Sequence, residues 1–177
     1  MGGAFKGRRL LTDTRASLIR PTSGKVREAL FSSLGEALAG EEFVDLYAGS
    51  GAVGLEALSR GASRAHLVER HPQSWALLKA NCKSVLGEGP ESGLAVPVRE
   101  DALAWCGRMK DEGRTYAYVF ADPPFADDFG GLRDAVMGVL APGGAAIIQF
   151  PTRKPPAWAG EAAKLKKYGD SSLAFFP

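Results

Sequence analysis

The sequence predicts an α/β fold in which a mostly parallel β-sheet is covered by helices on both faces. Short apolar runs alternate with segments of helical periodicity along most of the chain, and this alternation is typical of parallel strands joined by crossover helices. The chain has 177 residues, of which 45% are apolar and 24% charged. That length and composition suit one soluble globular unit with a two-sided core.

The predicted elements follow one another regularly after a basic N-terminal segment. Residues 2–11 are expected to form a short basic hairpin or arm, and Thr22 or Ser23 is expected to cap a helix with Val26 and Leu30 on its apolar face. The strands and helices expected after it are, in order, strand 43–47, helix 52–60, strand 65–69, helix 72–86, strand 94–98, helix 102–109, strand 116–121, helix 128–140 and strand 145–150.

The C-terminal segment is expected to close the sheet with an antiparallel strand. Residues 162–168 and 173–176 are predicted to form a β-hairpin that turns at Gly169-Asp170-Ser171. The organisation predicted overall is a basic N-terminal arm and helix over 1–40, followed by one compact sheet-containing unit over 41–177.

Basic and acidic residues are unevenly distributed. Residues 1–35 hold seven basic and two acidic side chains, and residues 151–177 hold five basic and two acidic ones, although the net charge of the chain is only +2. The middle of the chain is therefore acidic. A basic front joined to an acidic centre suits a polyanionic partner held by the ends and a cationic ligand in the middle.

Other features limit the class of protein. No apolar run approaches the roughly 20 residues of a membrane span, and the first residues lack a signal-peptide core. The two cysteines, Cys82 and Cys106, are not spaced like metal ligands and do not form the repeated cysteine pattern of a disulfide-rich protein. We therefore expect a cytoplasmic monomer without a metal and without a membrane association.

The motif Asp122-Pro123-Pro124-Phe125 follows the apolar run 116–121. The Asp122 carboxylate and the Pro123 carbonyl could both accept hydrogen bonds from one exocyclic amine, because the prolines hold the backbone rigid and cannot donate. Phe125 offers a face on which a flat base could stack, worth roughly 1–3 kcal/mol. The motif thus predicts a small clamp for a planar amine.

A glycine-rich loop follows the first predicted strand. Gly49, Gly51 and Gly54 satisfy the G-x-G-x-x-G spacing of a dinucleotide site, so an NAD(P) oxidoreductase must be weighed. Asp45 would then face a pyrophosphate, which disfavours that interpretation. A carboxylate there suits a ligand with an ammonium group, such as S-adenosylmethionine, whose carboxylate could lie at the N-terminus of the next helix.

Acidic residues end four successive predicted strands, at Asp45, Glu69, Asp101 and Asp122. Glu69 lies 18 residues past Gly51 and could accept both ribose hydroxyls, a role common to sites for NAD and for S-adenosylmethionine. Asp101 could accept from the adenine amine, or it could simply cap the following helix. The regular placement of acids at the strand ends favours a ligand site along this edge. The candidate cofactor-binding residues are Asp45, Tyr47, Ala48, Gly49, Ser50, Gly51, Glu69, Asp101 and Ala102.

Together these motifs resemble class I S-adenosylmethionine-dependent methyltransferases of the amino-methylating type. The front of the chain, with Gly7-Arg8-Arg9-Leu10, Arg20-Pro21-Thr22 and the run 26–31, is similar to the bacterial small-subunit ribosomal RNA guanine-N2 methyltransferase family. The resemblance implies a doubly wound, Rossmann-like class I methyltransferase fold with seven strands, and S-adenosyl-L-methionine as cofactor with S-adenosyl-L-homocysteine as product.

The resemblance also implies ribosomal RNA, or a small-subunit ribosomal assembly intermediate, as the partner. The guanine would be unstacked to reach the clamp, and basic side chains would hold the phosphates. The candidate RNA-binding residues are Lys6, Arg8, Arg9, Arg20, Lys25 and Arg27, and the candidate catalytic residues are Asp122, Pro123, Pro124 and Phe125.

Three alternatives remain open. The clamp would serve another amino methyltransferase, acting on adenine or cytosine in DNA or on a protein glutamine. A non-catalytic module that binds S-adenosylmethionine or RNA is a second alternative, and the NAD(P) oxidoreductase is a third.

Overall fold

A computed structural model describes residues 2–11, 22–87, 93–124 and 129–177. The α-helices in these ranges are α1 (Gly24–Leu34), α2 (Ala52–Ser59), α3 (Pro72–Leu86), α4 (Ala102–Asp111) and α5 (Leu132–Met137). The strands are β1 (Glu42–Leu46), β2 (Arg64–Val68), β3 (Ala95–Val98), β4 (Tyr116–Ala121), β5 (Leu140–Pro151), β6 (Lys164–Tyr168) and β7 (Ser171–Phe176). Helix α1 follows the predicted cap, and the ends of the other elements, apart from α5 and β5, lie within two residues of those predicted.

The seven strands form one sheet with the order β3-β2-β1-β4-β5-β7-β6. Strands β1 to β5 are mutually parallel, and β7 runs antiparallel to both of its neighbours, β5 and β6. Strands β2 and β3 lie on one side of β1, and β4, the next strand along the chain, lies on the other side of β1. This change of direction creates a switch point between β1 and β4, where doubly wound folds bind their ligands.

Both faces of the central strands are buried, as their apolar sequences predicted. Along β1, Phe43 packs in the core beneath α1, α2 and α3, whereas Val44 and Leu46 pack in the core beneath α4 and α5. Residues that alternate along a strand point to opposite faces, so one short strand supplies both cores. No helix in the described ranges is both long and apolar enough to cross a bilayer.

Between β4 and the end of β5 the predicted helix and strand are both present, but their predicted bounds were wrong. A helix was expected over 128–140, but α5 covers only Leu132–Met137 and residue 140 already belongs to β5. Glycines bound the helix, with Gly131 in the left-handed region (φ 72°) before it and Gly138 after it. The strand starts earlier than predicted because Leu140 pairs with Tyr116. The sequence 141–144 (Ala-Pro-Gly-Gly) is typical of a turn, and it was therefore not included in the predicted strand.

The N-terminal segment lies against α2 and α3. Residues 2–11 contain no strand, so of the two expected forms, hairpin or arm, the hairpin is excluded. A short 3₁₀ turn occurs at Gly3–Phe5. The Ser59 hydroxyl at the end of α2 accepts a hydrogen bond from the Phe5 amide at 2.7 Å and donates one to the Gly2 carbonyl at 2.5 Å. Helix α1 packs in the same core as α2 and α3.

We expect Gly3→Ala to undock the N-terminal segment. Gly3 has φ 68°, and a Cβ there would lie 1.9 Å from the Ser59 carbonyl oxygen. Gly7→Ala is a matched control, since Gly7 has φ 84° with nothing within 4 Å of the added carbon; it should lose only the backbone cost of about 1–2 kcal/mol. Urea unfolding and amide hydrogen exchange at Phe5 would measure both effects. Equal losses in the two variants would contradict the packing described.

Candidate functional site

Acidic side chains converge at the carboxyl edge of the sheet around the switch point. Asp45 lies one residue before the end of β1, in register with Phe120 of β4. Glu69 directly follows β2, and Asp122 directly follows β4. Because parallel strands end at the same edge, the structure brings together three of the four predicted strand-end acids, close enough for Glu69 and Asp122 to influence the ionisation of Asp45.

Asp45 is the most deeply buried of these acids, with 1% of its surface exposed. Its Oδ2 accepts a hydrogen bond from the Gly54 amide in the first turns of α2 at 2.9 Å. Burial raises the pKa of Asp45 to about 8, against the lowering effect of the Gly54 hydrogen bond, and the charges of Asp122 and Glu69 raise it further. The carboxyl is thus largely protonated near neutral pH, and a cation placed beside it would ionise it.

The loop between β1 and α2 makes a tight turn at the same edge. The Ala48 amide donates to the Val68 carbonyl at 2.9 Å, and the Gly51 amide donates to the Ala48 carbonyl at 2.7 Å. Gly49 and Gly51 have φ values of 55° and 80°, and Tyr47 also has a positive φ, of 64°. A non-glycine residue in this region is strained, and such strain is common at binding sites. The loop therefore brings backbone groups to the switch point in a fixed conformation.

Glu69 holds this glycine loop against the start of α3. Its Oε2 accepts from the Gly49 amide at 2.9 Å, and its Oε1 accepts from the His71 amide at 2.7 Å. Each carboxylate oxygen has two lone pairs, so these contacts leave acceptor capacity for the ribose hydroxyls that the sequence predicted here. The side chain has a structural task in the loop in addition to any contact with a ligand.

Asp101 takes the helix-capping role that the sequence left open. Its Oδ1 accepts from the amides of Leu103 and Ala104 at 3.0 and 3.3 Å, at the start of α4. Its Oδ2 lies 3.2 Å from Nη1 of Arg70 in an exposed ion pair. The next residue, Ala102, is buried. A contact between Asp101 and an adenine amine stays a prediction.

The predicted amine clamp lies at the end of β4. Asp122 is half-buried, Pro123 is buried and Pro124 is exposed, whereas Phe125 lies outside the described residues. The Asp122 amide lies 3.4 Å from the Leu46 carbonyl, so the motif continues the β1–β4 ladder to the edge. The hydroxyl of Thr22 donates to Asp122 Oδ2 at 2.5 Å. The acid of the clamp is thereby oriented by a residue from the front of the chain.

The predicted RNA-binding residues divide into two groups. Arg27 forms an ion pair with Glu56 at 2.5 Å, and Arg8 donates to the Val85 carbonyl, so both help to hold the fold together. Glu56 is buried, which would raise its pKa, but hydrogen bonds from Arg60 and Arg27 hold that pKa below its usual value.

The second group consists of exposed cations. Lys6, Arg9 and Lys25 are exposed and form no ion pair within the part of the chain that the structure describes. Arg20 lies outside the described residues. The exposed cations are therefore the ones best placed to contact a polyanion without disturbing the fold.

Sequence reasoning missed Asn81, which links the N-terminal segment to the glycine loop. This side chain is completely buried in α3. Its Oδ1 accepts from the Leu11 amide at 2.7 Å, and its Nδ2 lies 3.1 Å from the Leu11 carbonyl and 2.9 Å from the Ser50 carbonyl. The signal was an amide on the apolar face of a helix, three residues after Leu78.

Sequence reasoning used Thr22 as part of the front motif and as a possible cap for α1, but gave it no place in the functional site. The structure gives the capping role to Ser23, whose hydroxyl accepts from the Val26 amide at 3.3 Å. No local pattern connects Thr22 with Asp122, because 100 residues separate them. Among the described residues, no group of three or more His, Cys, Asp or Glu side chains is arranged to hold a metal ion.

Stability should depend on pH through Asp45. An unfolded Asp has a pKa near 3.9 and the folded group has one of about 8, so the folded state binds the proton more tightly. This contribution to stability is complete below about pH 4 and is lost as the pH rises towards 8. The loss is on the order of 1.4 kcal/mol per unit of pKa displacement.

Asp45→Asn should abolish that trend, because the amide keeps an acceptor for the Gly54 N–H but does not titrate. The free energy of unfolding, measured in urea at pH 4, 6 and 8, should fall more steeply in the wild type than in the variant. Parallel pH profiles would show that Asp45 is ionised in the folded protein.

Known proteins share this architecture over nearly the whole chain. A hypothetical protein of Thermus thermophilus has a solved structure that superposes with a TM-score of 0.82 at 31% identity, covering 98% of this chain and 95% of that one. An Escherichia coli structure, provisionally described as a methyltransferase, gives a TM-score of 0.78 at 28% identity over 99% of this chain and 94% of its own. The expected class I methyltransferase fold is thereby confirmed.

Sequence comparison leads to the same group. Ribosomal RNA small subunit methyltransferase D of E. coli is 36% identical over 125 residues, which cover 71% of this chain and 59% of that protein. The match thus spans less than two thirds of that relative's length. It confirms the resemblance found in the motifs. The model of the family described as conserved hypothetical protein 95 matches residues 1–177, and the chain belongs to this family.

Proposed function

We propose that this chain is an S-adenosylmethionine-dependent methyltransferase that modifies the exocyclic N2 of a guanine in small-subunit ribosomal RNA. The observation that carries the proposal is the position of Asp122-Pro123-Pro124 at the switch point, beside the buried Asp45 and the Glu69 that holds the glycine loop. The ribosomal RNA methyltransferase named among the relatives supports the substrate class.

The donors and acceptors along the sheet edge fit S-adenosylmethionine better than a dinucleotide. Glu69 and Asp122 place carboxylates where a pyrophosphate would have to lie, and the buried Asp45 beside them would ionise next to a cation but not next to an anion. This arrangement favours a ligand with a net positive charge. Asp45 would face the ammonium group, the loop from Tyr47 to Gly51 would surround the methionyl part, and Glu69 would accept from the ribose hydroxyls. Asp101 and Ala102, at the start of α4, would lie at the adenine.

S-adenosylmethionine, when bound, supplies an electrophilic methyl group. The protein's task is to present the guanine amine, whose lone pair is delocalised into the ring. Asp122 and the Pro123 carbonyl would each accept a hydrogen bond from the NH₂ group and hold the nitrogen in line for displacement. Pro124 keeps this short segment rigid, and Phe125 would stack on the base. Catalysis would then depend on positioning and electrostatics.

Methyl transfer from labelled S-adenosylmethionine to small-subunit ribosomal particles and RNA lacking their modifications tests the proposal. Digestion to nucleosides should give N2-methylguanosine from the ribosomal substrate and no label in duplex DNA. Label in DNA would identify a DNA amino methyltransferase. Bound cofactor without transfer to any substrate would indicate a binding module, and NADH binding would favour the oxidoreductase.

Asp122→Ala should reduce turnover by roughly 10²–10³, by analogy with the loss of one preorganised polar group. Cofactor affinity, measured by calorimetry, should change little because the loop and Glu69 are untouched. Asp111→Ala, which removes an exposed acid at the end of α4, is the matched control and should turn over like the wild type. Wild-type turnover in Asp122→Ala would refute the role of the clamp.

The exposed cations should determine the salt dependence of RNA affinity. Replacing Lys6, Arg9 and Lys25 together by Ala should reduce the slope of log affinity against log salt by about 0.7 per lost phosphate contact, or about 2 in all. Arg108→Ala is the control, since Arg108 of α4 already pairs with Glu100 and Glu112, which flank the helix. An unchanged slope in the triple variant would place the RNA elsewhere on the surface.

A further inference from the structure

Thr22 makes a hydrogen bond that helix α1 does not need. It stands just before Ser23, which caps the helix through its own hydroxyl. The Thr22 hydroxyl instead donates to Asp122 Oδ2 at 2.5 Å, joining the front of the chain to the end of β4. A hydroxyl bonded to a carboxylate fixes the orientation of that group and favours its ionised form.

We propose that Thr22 is a positioning residue for the methyl transfer, orienting the Asp122 carboxylate towards the substrate amine. This inference rests on the proposed function. Thr22 keeps its proton and touches neither the base nor the methyl group. By holding Oδ2 in place, it limits rotation of the carboxylate and sets the direction from which the amine can donate. A hydroxyl that donates to Asp122 also stabilises the carboxylate form, in which both oxygens act only as acceptors.

The surroundings of Thr22 are suited to this role because α1 is firmly anchored. Val26 and Leu30 are buried in the core shared with α2 and α3. In the first turns of α1, Arg27 pairs with the buried Glu56 of α2 at 2.5 Å. Helix α2 begins at the glycine loop, so the position of Thr22 is set by the same elements that shape the proposed cofactor site.

The first test compares Thr22→Val, which keeps the side-chain shape without the hydroxyl, with Thr22→Ser, which keeps the hydroxyl. Ser23→Ala is the matched control, because it removes the neighbouring hydroxyl and weakens the cap of α1 without touching Asp122. Each variant is assayed for kcat, the KM for ribosomal substrate and cofactor affinity, with kcat followed from pH 5 to 9.

Thr22→Val should lower kcat roughly tenfold, with the KM and cofactor affinity within about twofold of the wild type. Its activity should begin to fall at a higher pH on the acid side. Thr22→Ser should recover most of the turnover, and Ser23→Ala should behave like the wild type. Unchanged kcat in Thr22→Val, equal loss in Ser23→Ala, or no recovery in Thr22→Ser would each overturn the inference.

A second measurement decides the matter without any activity. The Asp122 carboxyl carbon can be followed by ¹³C NMR during a pH titration and assigned by its disappearance in Asp122→Asn. Its titration midpoint should move up by about one pH unit in Thr22→Val and stay in place in Thr22→Ser and Ser23→Ala. No movement in Thr22→Val would overturn the inference. Absence of methyl transfer by the wild type would instead contradict the proposed function, and the titration would still test Thr22.

Discussion

Acidic side chains at the carboxyl edge of a parallel sheet lose part of their hydration, and the buried Asp45 loses almost all of it. The rest of the site depends on how that loss is offset. Each acid accepts hydrogen bonds from a neighbouring segment. Asp45 accepts from the Gly54 amide, Glu69 from two backbone amides, Asp101 from the first turn of α4, and Asp122 from Thr22. These donors come from loops and helix starts, so the acids organise the loops while the loops stabilise the acids.

The hydrogen bonds offset the lost hydration to a different degree at each acid, so the acids differ in how readily they ionise. Asp45 is too deeply buried for one amide to keep it ionised, and its pKa rises to about 8. Asp122 is half-buried and bonded to a hydroxyl. Two carboxyl groups at one edge are thus placed in environments suited to different tasks, one responsive to a cationic ligand and the other prepared to accept from an amine.

The front of the chain completes the site as well as carrying basic residues. Asn81 ties Leu11 to Ser50 in the glycine loop, and Thr22 is bonded to Asp122. The front of the chain is therefore linked to both halves of the proposed site, to the cofactor loop through Asn81 and to the amine clamp through Thr22. Arg27, in contrast, is used within the fold through its pair with buried Glu56, which leaves exposed cations such as Lys25 as the better candidates for RNA.

The sequence by itself determined the fold class, most element positions and the acids at the strand ends. Apolar runs such as 116–121 and the glycine spacing after β1 are local signals, because burial on both faces and tight turns impose local residue preferences. The front motifs and Asp122-Pro123-Pro124 were sufficient to indicate the family, which the comparisons confirm. Where local signals conflicted, as in the Pro-Gly-Gly segment at the start of β5, the prediction was wrong.

Only the tertiary structure decided which of these residues meet. The contact of Thr22 with Asp122, the bridge made by Asn81 and the use of Arg27 by Glu56 all join segments that are distant in sequence. The sequence around a Thr, Asn or Arg residue is the same whether its side chain faces solvent or a buried partner. The pairing is set by the packing of helices on the sheet, which brings distant segments within hydrogen-bond distance.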